Sequence, residues 1–317
     1  MTITVFLAAI LVVSVISIFQ IGNVEGQLTN TSSVSELFDK GKYSYELGKY
    51  EQAITWYDKA LAVDSKNIQV LRNKGLALGD LGRYDEAIVW YDKALEINPK
   101  DIDTLLNKGF TLHNLGKYEE AITWYDKALE VDPRSVEVLN NKGGALADLG
   151  KYEEAITWYD KALNIDPNHI DSINNKGTSL NDLGRSEEAI IWYDKALEIN
   201  PQYSKALYNK GLALFNLEKY EEAIIWYDKA LEINPKDEDA LYNKASALGK
   251  LGSYQEAVTW YDKNLEVDPN DVDALTGKGV ALALLDKTQD ALDSLDKALT
   301  IDPTNQEALE VKALIQK

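Results

Sequence analysis

The chain has 317 residues with no cysteine and only two histidines, His113 and His169. This excludes disulfides, thiolate metal sites and a cysteine nucleophile, and it leaves no histidine cluster for a metal or a catalytic triad. A formal net charge of −19 with a pI near 4.6 repels nucleic acid phosphate, so a neutral or basic protein segment is the expected partner and no cofactor is called for.

In chain order, Ile3 to Ile21 comes first, almost wholly apolar and interrupted only by Thr4, Ser14, Ser17 and Gln20. Its length suits a transmembrane helix or a long secretory core, although the usual basic residues ahead of it are missing. Val24-Glu25-Gly26 offers small residues for cleavage. Residues 1–26 are therefore expected to be a signal peptide or an N-terminal membrane anchor, giving an exported chain that is secreted or tethered through residues 3–21. Residues 27–33 form a polar spacer, in which Asn30-Thr31-Ser32 fits the N-glycosylation pattern.

From Val34 onward the chain is periodic. Trp-Tyr-Asp-Lys-Ala-Leu first occurs at Trp56 to Leu61, and tryptophan returns at 90, 124, 158, 192, 226 and 260, always 34 residues on. A strict period of this length marks an array of supersecondary units. Eight repeats fill residues 34–305, and 306–317 begin a ninth that reads as a capping helix. Within 136–169, one amphipathic segment runs from Val136 to Leu149, Gly150-Lys151 makes a turn, and a second runs from about Glu153 to Ile165 before Asp166-Pro167. All seven prolines fall just past a second segment, at 99, 133, 167, 201, 235, 269 and 303.

These positions resemble the tetratricopeptide repeat family, whose signature reads here, in 136–169, as Leu139, Gly143, Leu146, Tyr152, Ala155, Tyr159, Ala162 and Pro167. The resemblance implies an all-α, right-handed solenoid of eight 34-residue helix-turn-helix repeats plus the capping helix. One departure is that the family's first-helix tryptophan is Leu139, while Trp158 lies on the second helix. The tryptophans read as packing between repeats. Changes inside the array, such as Ser186, Glu218 and Ala245, read as drift.

Lysine stands at the seventh position of all eight repeats (40, 74, 108, 142, 176, 210, 244, 278), and aspartate is equally constant at 58, 92, 126, 160, 194, 228, 262 and 296. A lysine can bury its stem and lead its head to a carboxylate, so one ion pair per repeat is expected.

Constant positions build the scaffold, and positions that vary between repeats are free to read a ligand. The family implies a concave groove lined by first helices, and the helical wheel puts Glu137, Asn140, Asn141, Gly144, Ala147 and Asp148 on it. Asn73, Asn107, Asn141, Asn175, Asn209 and Asn243 form a near-constant row suited to hydrogen-bonding an extended peptide backbone. Preference is expected from Arg72, Leu106, Phe110 and His113, then a polar middle of Asn140, Asn174 and Asn181. An aromatic region of Tyr203, Tyr208, Leu212, Phe215 and Tyr242 follows as a hydrophobic anchor. Family members that clamp a terminal carboxylate use basic groove residues, whereas this chain offers Asp103, Glu137, Asp171, Asp239 and Asp273 at one such position, with only Lys205 basic. The acidic corner Asp268 to Asp273 lacks the glycine and closing glutamate of a calcium loop, so no metal site is expected. The expected function is non-catalytic peptide binding in the groove, and the rival is a cell-envelope scaffold docking through its outer face.

Overall fold

The computed structural model describes residues 33–316. The expected signal or anchor at 1–26, the spacer up to Ser32 and the Asn30 acceptor lie outside the described residues. No helix among the described residues is long and apolar enough to cross a membrane.

The described residues form seventeen helices and no strand, about 80% helical, with consecutive helix pairs packed together. They are α1 Val34–Glu46, α2 Tyr50–Val63, α3 Ile68–Asp80, α4 Tyr84–Ile97, α5 Ile102–Asn114, α6 Tyr118–Val131, α7 Val136–Asp148, α8 Tyr152–Ile165 and α9 Ile170–Asp182. The remainder are α10 Ser186–Ile199, α11 Ser204–Asn216, α12 Tyr220–Ile233, α13 Glu238–Lys250, α14 Tyr254–Val267, α15 Val272–Leu284, α16 Thr288–Ile301 and α17 Gln306–Ile315. Two compact units divide between Gly116 and Lys117, so α1 to α5 form one and α6 to α17 the other.

Local chemistry sets the helix ends. First helices, those at His169 and Tyr203 apart, start on short polar caps: the Ser135 hydroxyl accepts from the Val138 N–H, and Asp237 and Asp271 do the same for Ala240 and Ala274. Second helices have no side-chain cap and, Ser253 apart, start on Lys or Arg; one or two acidic residues in the first turn, such as Glu153 and Glu154, complement the dipole instead. Between them Gly150 takes φ 73°, the left-handed conformation that stops a helix, and its N–H returns to the Ala147 carbonyl.

The core is a repeated set of alanine, leucine and one tyrosine. Ala155, Ala162 and Ala145 are fully buried, and Tyr159 fills the space between them. Gly143 is required because a Cβ there would lie 2.5 Å from the Tyr159 ring. The same approach recurs at Gly41 with Tyr57, Gly75 with Tyr91, Gly177 with Tyr193 and Gly211 with Tyr227.

The repeat at 238–271 breaks this rule in a compensated way. Ala245 replaces the glycine, so the usual ring position is closed, and the end of the Tyr261 ring lies instead over Gly277 of the next first helix. A Cβ at Gly277 would fall 2.5 Å from that ring. Gly277 stands where six earlier repeats carry the asparagine of the expected ladder. Ala245 is therefore one half of a coupled exchange rather than drift.

Candidate functional site

Two series of surface depressions repeat with the array in the 117–316 unit. On the second-helix face, a cleft of about 720 Å³ between α6 and α8 is lined by Asp126, Glu130, Leu139, Trp158 and Lys161. Its counterpart one repeat later, about 410 Å³, is lined by Asp160, Ile173, Trp192 and Lys195. Their chemistry is nearly constant.

The lysine row belongs to this face. Lys142 donates to Asp126, Lys176 to Asp160, Lys210 to Asp194 and Lys244 to Asp228; Lys278 reaches Asp262 at 2.6 Å. In the other unit Lys74 donates to Asp58 and Lys108 to Asp92. Each pair joins a first helix to the second helix of the preceding repeat. Asp296 takes Lys312 from α17, which continues the pattern into the ninth repeat. Lys40 has no preceding repeat and donates to Glu36 at 2.6 Å instead. The Lys142 side chain is 9% exposed and that of Asp126 51%, so a largely buried lysine meets a half-solvated carboxylate.

The same ammonium lies 3.7 Å from the Trp158 ring centre, and Lys161 lies 3.4 Å from it. Trp90 and Trp260 carry two ammonium groups each in the same way. The tryptophans are thus half-buried junction residues held by cation–π contacts.

The first-helix face carries slots whose lining varies. One of about 400 Å³ lies between α7 and α9, over Tyr152 and Tyr159, with Gly144, Asp148, Asn175, Thr178 and Asp182 around it. The equivalent slot three repeats on, about 250 Å³ between α13 and α15, lies over Tyr254 and Tyr261. Tyr242, Lys250, Val280, Leu284 and Glu307 line that one. Two carboxylates at the first mouth are replaced by a lysine and a leucine at the second.

The asparagine row is half-buried at all six positions. At four of them, Asn73, Asn175, Asn209 and Asn243, the amide donor is engaged within the protein. Asn209 donates to Asn174 at 3.1 Å, Asn174 to Asn175 at 3.4 Å, Asn175 to Asn140 at 3.2 Å and Asn140 to Asn141 at 3.4 Å. Asn73 donates to the Gln69 carbonyl, and Asn243 to the Asp239 carbonyl and to the Tyr208 hydroxyl at 3.0 Å. Asn107 sits half-buried on α5.

Asn140, Asn174 and Asn181, expected as a ligand-reading polar middle, are instead buried at 9%, 3% and 8% exposure. They belong to the seam between first helices, where Ser172 donates to Asn140 and Ser186 and Asn216 donate to Asn181. Buried amides must be satisfied within the protein, and these are.

Arg72 pairs with Asp101 at 3.1 Å and Asp103 at 2.9 Å. Burial raises the Asp101 carboxyl, but hydrogen bonds from Thr104 and the Arg72 charge outweigh it and hold that carboxyl below its ordinary range. Phe110 is 50% exposed on α5. Tyr208 packs on Tyr227 and Phe215 on Tyr220, each within its own helix pair. Tyr203 donates to Asp171 at 2.6 Å. Among these, Tyr242 alone lines the C-terminal slot, so the aromatic depression lies one repeat beyond the expected region. Sequence reasoning missed Tyr254, Tyr261, Leu284 and Glu307. The available signal was Leu284, at a position that is Glu, Asp, Asn or Lys in the seven other repeats.

Models described as tetratricopeptide repeat match residues 204–237 and 238–271, 111–170 and 158–191, and one described as TPR repeat matches 41–82, 75–116 and 177–218. A comparison with curated proteins found no match. Among solved structures, a chain of the APC/C hetero-tetramer Cut9-Hcn1 shares 18% identity at a TM-score of 0.67, over 94% of this chain and 59% of that one. This chain therefore spans less than two thirds of that relative's length. YrrB, described as a TPR protein with an unusual peptide-binding site, shares 28% identity at a TM-score of 0.50, over 60% of this chain and 97% of that one. Pseudomonas aeruginosa pilF shares 23% identity at a TM-score of 0.60, over 67% of this chain and 97% of that one.

Proposed function

The chain belongs to the tetratricopeptide repeat family, and from that premise we propose that it is a non-catalytic protein-interaction module whose first-helix face holds an extended segment of a partner. The observation that carries this reading is the contrast between the two faces. Clefts on the second-helix face repeat one lining, Asp, Trp and Lys: each aspartate is taken by a first-helix lysine, and each lining lysine lies over its tryptophan. Slots on the first-helix face keep a tyrosine floor and change their rims. A surface that differs from repeat to repeat can choose among sequences, and a constant one cannot. The 28% likeness to YrrB, whose description includes a peptide-binding site, supports the same assignment.

Acidic residues at the slot mouths, Asp148 and Asp182, together with the net charge of −19, favour a neutral or basic segment. The apolar stretch from Ile3 to Ile21 favours an exported protein, secreted or tethered to a membrane through that stretch. Cell fractionation with N-terminal sequencing of the mature chain tests export: a cytosolic chain that keeps Met1 refutes it.

The groove is tested with partners captured on the full chain and re-measured against two variants. Asp148→Lys with Asp182→Lys is expected to lower affinity at least tenfold. Glu130→Lys with Asn164→Lys on the second-helix face is expected to leave it unchanged. The reverse outcome assigns the protein to the rival role, a cell-envelope scaffold docked through its outer face.

A further inference from the structure

The slot between α13 and α15 differs from its counterpart between α7 and α9 because several changes converge on it. Ala245 and Gly277 move the Tyr261 ring, which is 6% exposed where the equivalent Tyr57, Tyr91, Tyr159, Tyr193 and Tyr227 are 0–2% exposed. Tyr242 lies against Tyr261, with ring centres 5.8 Å apart and planes 57° apart, and Tyr254 adds a third ring. Gly249 leaves the slot open, since a Cβ there would meet nothing within 4 Å. Val280 and Leu284 form an apolar wall, and Leu284 is 55% exposed. Glu307 reaches the rim from α17, opposed by one cation, Lys250.

The electrostatic surroundings are negative. Beyond burial, the charges of Asp273, Glu307 and Asp271 raise the Tyr242 phenol, and Glu307 and Asp271 also act on Tyr261. Three carboxylates thus act near one ammonium. A slot with three tyrosine rings, an aliphatic wall and a carboxylate rim matches a side chain with an apolar stem and a cationic head. The stem lies on the aliphatic wall, and the head is drawn to the π faces and to Glu307.

We propose that this slot receives an arginine or lysine side chain of the bound segment, with Tyr242, Tyr254 and Tyr261 around the cation and Glu307 as its counter-ion. The assignment deepens the peptide-binding reading and rests on it for the source of the side chain. It also gives Lys250 a definite role as a competing charge, which lowers affinity for the cation.

The test uses the full-length chain with ring-labelled tyrosine, titrated by NMR with acetyl-arginine methylamide and with its citrulline and norleucine analogues. The arginine probe is expected to shift the Tyr242, Tyr254 and Tyr261 signals and to bind at least about fivefold more tightly than either analogue. Gly249→Leu, which fills the slot, abolishes those shifts. Glu307→Gln weakens binding and Lys250→Glu strengthens it, each roughly fivefold. Both are exposed rim positions, so this pair carries the test should Gly249→Leu fail to fold.

Equal binding of citrulline or norleucine, or arginine binding that survives Gly249→Leu, overturns the proposal. The small probe needs no extended groove, which separates the two readings. Arginine binding without binding of any extended peptide refutes the groove and leaves the cation slot standing. Peptide binding with no arginine preference refutes the slot alone.

Discussion

At each lysine–aspartate pair the two partners are unequally buried, and that inequality decides which loss matters. The Lys142 ammonium keeps the Trp158 ring whatever happens to Asp126, but its stem lies among buried residues and its head has one carboxylate. Asp126 stands half in water. Removing the lysine leaves a solvated carboxylate, whereas removing the carboxylate leaves a largely buried cation. Lys142→Met is therefore expected to cost under about 1 kcal/mol, and Asp126→Ala about 1–2 kcal/mol, by urea unfolding. Equal costs would mean that the tryptophan alone satisfies the ammonium. The Ala245 exchange makes a second prediction. Gly277→Asn, which restores the asparagine of the other repeats, drives a side chain into Tyr261 and is expected to cost about 1–3 kcal/mol. Adding Ala245→Gly reopens the usual ring position and is expected to recover most of that loss, a coupling that a double-mutant cycle measures directly.

At the scale of the helix and its turn, two of the corners lack the residue they need. Glu218 and Asp286 hold φ 61° and 57°, where Gly150 holds 73° and Gly184 75°. A Cβ at Gly150 would touch nothing, so any penalty there is one of backbone conformation alone. Glu218→Gly is expected to raise stability by about 1 kcal/mol, and Gly150→Ala to lower it by a similar amount, read as opposite shifts in melting temperature. Helices and turns of this kind were legible from residue spacing, because caps, glycines and prolines act on neighbours a few positions away. Partner choice was less so. Lys142 has an invariant aspartate 16 residues before it and another 18 after it, and only helix stacking selects Asp126 over Asp160. For the same reason Asn140 and Asn174 looked like groove residues: the wheel places them beside Asn141 and Asn175, but the neighbouring first helix covers them. The C-terminal slot was hidden because Tyr254 and Tyr261 sit at scaffold positions, and it takes Ala245 and Gly277 together to turn the still largely buried Tyr261 ring towards the slot.

Across the whole molecule, each of the first seven repeats buries one tyrosine in its core, and these phenols tie stability to alkaline pH. Burial is the first cause of every such shift: it pushes Tyr57 up to about 12 and raises Tyr91, Tyr125, Tyr159, Tyr193, Tyr227 and Tyr261 further. An unfolded tyrosine loses its proton near pH 10. Above that pH the unfolded chain binds fewer protons than the folded one, so stability that is whole below about pH 10 falls as pH rises through the folded values. Each compact unit holds rings of this class, so both are expected to weaken in the same window, from about pH 10 to beyond 12. Charge repulsion within an already acidic chain, net −19 at pH 7, works in the same direction. Salt separates the two causes, since it screens exposed charges over about 8 Å at 0.15 M but does not lower the cost of a phenolate in an apolar core. The expected result is a fall in urea midpoint above pH 10 that persists in 0.5 M NaCl, with phenolate absorbance from these rings rising only as helical circular dichroism is lost. Tyr57→Phe combined with Tyr159→Phe removes two of the responsible protons and should flatten the pH dependence. A helical signal that stays intact while all the tyrosines titrate near pH 10 would show that the cores admit water.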